Sequence, residues 1–452
     1  MWLNLALVCR RWRSVMFASC FRLDMTITLG PQKPGHIKKI LSSPLPIFIE
    51  YKCFWADITG SALWRMRAAL RYRDRVREII IGRCSHSLHA PLEESITSFG
   101  KFIRAANYHF PALERLVLNC PYGHEPDIPT TFLRGPNKLD LPLRRLELYG
   151  FPSIVSMSGL LLSAAALTDF TLCGPFTTDF KSDSLEGLSL LACLQGMQCL
   201  HSLNLRIPHC SQSQHETSKN IVPLSQLTRF HYSGPTTLLN NLISGLSAPS
   251  LKDAHFVLRI RSPLLYLSRL IDDVSEEFRS VGVTLDTENF DLLSSTYMGK
   301  IDRFKQSFMM RVDSPSDSIK SINSTLSTKL AMAEELALYF PRSHLKEWDS
   351  REHVFSMREF LHQFRSVRVL RVFYCMQEVA FYLQQDDGMA VMPALEEIEI
   401  STTVLLDSDS ERQRREAEGM AAFEPFVSAR ERAGRVVKVS HSKDPWVYSP
   451  YF

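Results

Sequence analysis

The stretch Pro111–Leu118 reads PALERLVL, and its pattern recurs along much of the chain. Leu113, Leu116 and Leu118 follow an L-x-x-L-x-L frame. The last two leucines are two residues apart, so they point to the same face of an extended strand. Pro111 has no backbone N–H to donate and biases its predecessor away from helix, so it marks the end of the preceding element. The stretch therefore predicts a short β-strand with one apolar face.

The same frame recurs at intervals. Pro249–Phe256 (PSLKDAHF) and Pro393–Ile400 (PALEEIEI) share both the proline and the frame. Looser copies are Val76–Ile81, Leu143–Leu148, Leu167–Leu172, Leu200–Leu205, Leu227–Tyr232 and Val367–Val372. Between Val76 and Leu251 the first apolar position returns every 24 to 37 residues, roughly, which is near the period of about 20–29 residues of leucine-rich repeats.

Helical patterns lie between these strands. Thr236–Leu246 (TTLLNNLISGL) and Val354–Phe364 (VFSMREFLHQF) each place their apolar residues on one stripe of a helix. Strand, helix and strand at a short period predict an α/β solenoid of short parallel strands and helices, in which each unit buries its apolar face against its neighbours. An ordinary doubly wound α/β domain is the alternative, but it gives no reason for the strand frame to repeat.

The frame weakens between about residues 260 and 345. Val281–Asp286 and Ser307–Val312 are predicted strands, and the Ser-rich Ser314–Lys329 is a predicted loop. We expect a poorly defined, loop-rich stretch around residues 286–350. The tail Ala422–His441 predicts a closing helix that stops at Gly434 and a last strand at Val436–Val439.

Composition narrows the class of protein. Of 452 residues, 45% are hydrophobic and 22% charged, with a net charge of +4, which is typical of globular proteins and gives no reason to expect nucleic-acid binding.

No apolar run approaches the roughly 18 residues of a membrane span. The basic residues follow the apolar start MWLNLALVC instead of preceding it, so we expect no secretory signal. The ten cysteines form no C-x-x-C pair, which favours reduced thiols in a cytoplasmic or nuclear protein.

Near the start, Leu5–Val15 reads LALVCRRWRSV. On a helix its apolar residues share one side, with the arginines on the other side or its flank, so the segment is an amphipathic helix with an aromatic anchor. It resembles the second half of an F-box, whose closing helices carry an L-x-x-V-C-+-x-W pattern. The following segments FRLDMTITL, PLPIFIEY and ALRYRDRVREIIIG resemble fungal F-box proteins with degenerate leucine-rich repeats.

This resemblance implies a substrate-recognition subunit of an SCF-type ubiquitin ligase, in which the helix binds a Skp-type adaptor and through it a cullin ligase. The implied adaptor-binding residues are Leu5, Val8, Cys9, Trp12 and Val15. The implied organisation is a partial helical F-box at residues 1–20 and an irregular leucine-rich-repeat-like solenoid at residues 21–450. The Leu-Pro half of the F-box is not matched, so a stand-alone repeat scaffold without a ligase role is the alternative.

The target is expected to bind on the concave face of the solenoid. In each frame, the residues flanking and between the last two apolar positions point away from the core. The predicted substrate-binding residues are Arg115, Asn119, Arg145, Glu147, Tyr149, Arg206, Arg229, His231 and His255. Further residues on the same predicted face are Asp169, Thr171, Asn204, Asp253, Arg371, Phe373, Glu397 and Glu399. Arginine and tyrosine are enriched at interface hot spots, which favours a protein target.

Motifs of catalysis are absent from the sequence: it has no GxSxG, Walker loop, HExxH or GxGxxG. His209, Cys210 and His215, with Cys199 and His201 nearby, lack the tight spacing of a zinc site or nucleophile. A polar loop explains them better. We therefore expect no enzyme activity, cofactor, metal site, membrane or nucleic-acid partner; a hydrolase on an unrecognised α/β fold is the third, least favoured class.

Overall fold

The computed structural model describes residues 25–28, 46–51, 60–81, 100, 102–104, 106–120, 132–133, 141–151, 158–174, 187–207, 221–259, 267–272, 280–285, 307–312, 327, 330–339, 357–373, 376–384, 391–401 and 409–441. The chain divides into two compact units. Unit 1 comprises Met1–Ser213 and Val222–Gln226; unit 2 comprises Gln214–Ile221 and Leu227–Phe452.

Within the described part of unit 1, seven parallel strands form a sheet whose spatial order follows the chain. They are β1 (Met25–Thr28), β2 (Ile47–Tyr51), β3 (Val76–Ile81), β4 (Arg115–Asn119), β5 (Arg145–Tyr149), β6 (Asp169–Cys173) and β7 (Ser202–Arg206). A two-residue strand, β8 (Val222–Pro223), lies apart from this sheet. The parallel pairing confirms the predicted α/β class with short parallel strands.

The recurring apolar frame forms the core of unit 1. In register, Leu116 of β4 lies opposite Leu146 of β5, which lies opposite Phe170 of β6, and each of the three is at most 1% exposed. The third position of the frame, Leu118, Leu148 and Leu172, stacks in the same way. Full burial of one such side chain stabilises the fold by about 1.5–3 kcal/mol, so the ladder of apolar residues supplies the main cohesion between strands.

A turn precedes several of the strands. The N–H of Leu113 donates to the carbonyl of Phe110, three residues earlier, and the N–H of Leu200 donates to Met197 in the same way. The carbonyl of Glu114 then accepts the N–H groups of both Arg144 and Arg145 at the start of the next strand. The buried residue three positions before the frame is therefore part of the repeat, an addition to the pattern predicted from the sequence.

The described helices of unit 1 lie on connections between strands, as parallel pairing requires. They are α1 (Gly60–Leu70), α2 (Ser158–Leu161) and α3 (Gly187–Gln195). α1 buries Met66, Ala69 and Leu70 and contacts β2. The turn after β5 needs glycine: Gly150 has φ +74°, and a Cβ there would collide with the carbonyl oxygen of Cys120.

In the described part of unit 2, eight parallel strands form the sheet in the order β9, β11, β13, β12, β14, β15, β16, β17. Their bounds are β9 (Arg229–Pro235), β11 (Asp253–Arg259), β12 (Ser280–Leu285), β13 (Ser307–Val312), β14 (Glu335–Tyr339), β15 (Val369–Phe373), β16 (Glu397–Ser401) and β17 (Lys438–His441); β10 (Leu246–Ser247) lies outside this sheet. β12 and β13 confirm the two strands predicted in the weak region. Their order departs from the chain, because β13 pairs with β11 and β12 on its two sides.

The described helices of unit 2 are α4 (Thr236–Ser244), α5 (Leu267–Asp272), α6 (Met376–Gln384) and α7 (Asp409–Arg432). α4 confirms the predicted helix, and residues 357–361 form the helical part of the second. α7 is longer than predicted and ends near Gly434, which has φ +78°. The last strand begins at Lys438 instead of Val436. The predicted Ser-rich loop Ser314–Lys329 lies outside the described residues, apart from residue 327.

A buried arginine joins α7 to the turn before β16. Arg430 is fully buried, and its Nη2 donates to the carbonyl oxygens of Val391 at 2.6 Å and Met392 at 2.8 Å. Burial, and then the charge of Arg435, lower the pKa of Arg430. Met392 has φ +49°, a backbone conformation that residues other than glycine rarely adopt. The hydrogen bonds from Arg430 hold the backbone in this conformation.

Candidate interaction surface

The polar face of the unit 1 sheet is formed by side chains that alternate with the buried frame. We call these residues the unit 1 strand face: Glu78, Arg115, Asn119, Arg145, Glu147, Tyr149, Asp169, Thr171, Asn204 and Arg206. Arg145 is exposed, and the rest for which exposure is described are half-buried. Val117, on the same face, is 4% exposed, so the face has a less polar centre between its charged groups.

Arg115 bridges carboxylates on both neighbouring strands. Its Nη1 donates to Glu78 Oε1 and its Nη2 to Glu147 Oε1, each at 2.8 Å. Burial acts to lower the pKa of Arg115, but the hydrogen bond with Glu147 and the charges of Glu147 and Glu78 outweigh it and raise the pKa. The guanidinium is therefore held charged and in one place.

Tyr149 extends this group of side chains. Its hydroxyl donates to Glu147 Oε2 at 2.9 Å. Burial, and then the negative charge of Glu147, raise the pKa of Tyr149. The phenol thus stays protonated and remains a hydrogen-bond donor at physiological pH.

The remaining predicted residues of unit 1 surround this centre. Arg145 Nε lies 3.5 Å from Asp169 Oδ2, and 62% of the Arg145 side chain is exposed. Asn119 lies opposite Tyr149 in the register. The charge of Arg206 acts to lower the pKa of Tyr149, so these two side chains lie within electrostatic range. The structure therefore brings six predicted residues of unit 1 onto one face.

Three predicted residues belong to unit 2. Arg229 is exposed and His231 half-buried in β9, and His231 Nε2 lies 3.9 Å from Asp253 Oδ2. The backbone of His255 lies opposite His231 in the register; its side chain, like that of Phe373, is outside the described side chains.

A second arginine in unit 2 repeats the geometry of Arg115. The Nε of Arg371 lies 2.8 Å from Glu399 Oε2, and its Nη2 lies 3.6 Å from Glu335 Oε2. At the edge of the sheet, Glu397 accepts hydrogen bonds from Lys438 and Ser440. Sequence reasoning named Arg371, Glu397 and Glu399 but missed Glu335.

Glu78 and Glu335 were missed for different reasons. Glu78 lies in Val76–Ile81, a recognised frame, but the partner of Arg115 is set by the strand register. Glu335 lies in a frame whose first apolar position is Ala333 instead of leucine, which weakens the apolar pattern before Leu336 and Leu338. One sequence signal identifies both residues. In neighbouring repeats, a glutamate or an arginine stands directly before or directly after the second apolar position of the frame.

Two cysteines at or beside the strand ends, Cys120 and Cys173, are buried. Burial raises the pKa of Cys120 to about 12 and that of Cys173 to about 11, so these thiols are poor nucleophiles. Among the described residues no three His, Cys, Asp or Glu side chains are grouped to hold a metal. Guanidinium–carboxylate pairs beside a tyrosine hydroxyl offer charged hydrogen-bonding groups to a partner.

Helices within the described ranges are all too short or too polar to cross a membrane. The predicted adaptor-binding residues Leu5, Val8, Cys9, Trp12 and Val15 lie outside the described residues. So do His209, Cys210 and His215, and the predicted boundary at residue 20.

No protein-family model matches the chain, and no curated protein matches it. One solved structure to which it is similar is the leucine-rich repeat-containing protein LegL7 from Legionella pneumophila. The similarity covers 75% of this chain and 87% of that chain, at 12% sequence identity and a TM-score of 0.32. With a score this low, the repeat character of this protein rests on its own strands.

Proposed function

We propose that this protein is a non-enzymatic recognition scaffold, a leucine-rich-repeat-like solenoid that binds a partner protein on its strand faces. The observation that carries the proposal is the unit 1 strand face, where parallel strands place Arg115, Glu147, Tyr149 and Arg145 side by side. Arginine and tyrosine dominate binding hot spots. The hydrogen bonds of Glu147 with Arg115 and Tyr149 fix these three side chains before binding, which lowers the entropy that a complex must lose.

The finer proposal is that the scaffold is the substrate-recognition subunit of an SCF-type ubiquitin ligase in the cytoplasm or nucleus. It rests on the resemblance of Leu5–Val15 to the closing half of an F-box, with Trp12 as the anchor for a Skp-type adaptor. A stand-alone scaffold without a ligase is the alternative.

Co-purification with a Skp-type adaptor tests the ligase role. We expect the full chain to retain the adaptor. The amount of adaptor that co-purifies with Trp12→Ala should be lower by about tenfold or more, because a buried aromatic anchor contributes about 2 kcal/mol or more to binding. Phe381→Ala is the matched control, because Phe381 is an aromatic residue of α6 and is 47% exposed. Absence of adaptor from the wild-type sample, or an equal loss in both variants, leaves the stand-alone scaffold as the function.

A further inference from the structure

A cluster of arginines and aromatic side chains on unit 1 lies outside the strand face. We call it the arginine–aromatic surface; its members are Trp64, Arg67, Arg71, Tyr72, Arg73 and Tyr108. All six side chains are exposed. Large exposed aromatic groups are costly to leave in water without a partner, so their grouping marks a candidate contact surface.

The helical part of this surface is one stripe of α1 and the turn that follows. Trp64, Arg67 and Arg71 are spaced at i, i+3 and i+7, so they lie along one side. The opposite side is buried through Met66 and Leu70. The burial of that side fixes the orientation of the helix, and the stripe faces solvent with Trp64 62% exposed.

The turn after α1 adds a second row. The guanidinium carbon of Arg73 lies 5.7 Å from the ring centroid of Tyr108, and that of Arg75 lies 5.3 Å from the centroid of Tyr72. Such cation–π contacts orient a guanidinium on the ring face. The planar N–H edge of Arg73 remains available for bidentate hydrogen bonds.

The charge of this surface is uncompensated. In the described part of the chain, Arg67, Arg71 and Arg73 form no ion pair, whereas Arg77 lies 3.3 Å from Glu114 and Arg115 is paired on both sides. Asp74 is the single acidic residue between positions 60 and 76. The C-terminal end of a helix favours one or two cations, but this effect gives no reason for the exposed tryptophan and tyrosines.

From this charge and this shape we propose that the arginine–aromatic surface binds an acidic, carboxylate-rich segment of a partner protein. Arginine forks match carboxylates in bidentate geometry, and Trp, Tyr and Arg are the residues on which such contacts concentrate. The stripe from Trp64 to Arg71 covers only about 10 Å along the helix. This length suits a short acidic peptide better than the long basic track that follows a nucleic-acid backbone.

Fluorescence anisotropy of labelled poly-glutamate with the full-length protein tests this proposal, with poly(U) RNA as the competing probe. We expect poly-glutamate to bind, and Arg67→Glu/Arg71→Glu to weaken binding about tenfold or more. The matched control is Arg365→Glu/Arg432→Glu, which changes two exposed arginines of unit 2 and the net charge by the same amount. Arg67→Gln/Arg71→Gln serves if the charge-reversed variant fails to fold.

Trp64→Ala gives a second readout, because it removes the anchor without changing charge; we expect it to weaken poly-glutamate binding about fivefold or more. Equal weakening in the unit 2 control, no binding of poly-glutamate, or tighter binding of poly(U) would overturn the proposal. None of these variants changes the strand face or Trp12, so failure here is distinguishable from failure of the proposed function.

Discussion

Two regions of the molecule use the same charge pattern with different surroundings. In unit 1, Arg115 lies between Glu78 and Glu147 with both contacts at 2.8 Å. In unit 2, Arg371 lies between Glu335 and Glu399 at 3.6 and 2.8 Å. In both, the carboxylates come from the strands before and after the arginine in the chain.

The difference lies two residues beyond the second glutamate. Unit 1 has Tyr149 there, and its hydroxyl fixes Glu147, whereas unit 2 has Ser401 at the corresponding position. The repeat frame thus places an arginine between two carboxylates in both units. In unit 1 the Tyr149 hydroxyl is added to this ladder through its hydrogen bond to Glu147, which makes the unit 1 strand face the better candidate for selective recognition.

The largest effect is expected from removing Arg115 and Arg371, the central arginines of the two ladders. We expect Arg115→Met to lower the free energy of unfolding by about 2 kcal/mol, because it leaves two partly buried carboxylates without their shared cation. Arg371→Met should cost about 1 kcal/mol, since one of its contacts is already long. Urea denaturation of both variants measures the difference.

Arg145→Met is the control for this pair, because an arginine that is 62% exposed contributes little to stability. Two results would contradict this ranking. One is a larger loss of unfolding free energy in Arg371→Met than in Arg115→Met. The other is a loss in Arg145→Met equal to that in Arg115→Met.

A smaller effect is expected from pH at the edge of unit 2. The hydrogen bonds from Ser440 and Lys438 lower the pKa of Glu397 below the ordinary glutamate value of 4.5. Its stabilising contribution is therefore present above pH 4.5 and is lost as pH falls through the lower folded-state pKa. Glu397→Gln should cost about 1 kcal/mol at pH 7, and the difference from wild type should shrink in acid.

Thermal melting between pH 7 and pH 3 measures this dependence, with Glu418→Gln, on the exposed side of α7, as the matched control. A gap between Glu397→Gln and wild type that is constant across this range would contradict the assigned role of the carboxylate.

Much of the fold was predictable from the sequence, because the L-x-x-L-x-L frame reports burial at each strand. The parallel strands follow from this frame, α4 from its own apolar stripe, and the end of α7 from Gly434. The exchange of β12 and β13 was not predictable, since either strand presents the same alternating pattern to a neighbour. The frame that ends at Leu336 and Leu338 was missed because its first apolar position is an alanine, Ala333.

The candidate site was predictable in its residue types and strand face, but not in its pairing. Arg115, Glu147 and Tyr149 each alternate with buried leucines, so their outward direction follows from the sequence. Their contacts depend on the strand register, which no single repeat encodes. The sequence alone suggests changing Arg145 and Tyr149 to alanine without loss of folding. Because the Tyr149 ring is half-buried and its hydroxyl donates to Glu147, Tyr149→Phe is the cleaner change.

The most direct measurement is quantitative mass spectrometry of the proteins that co-purify with wild type and with Arg145→Glu/Tyr149→Phe. Arg365→Glu, at an exposed position of unit 2 off the strand faces, is the control, and urea denaturation verifies folding. If parallel strands present a recognition face at Arg145 and Tyr149, at least one partner retained by wild type and by the control will fall about tenfold or more in the folded strand-face variant. An identical set of partners at equal abundance in all three samples would contradict a recognition role for this face.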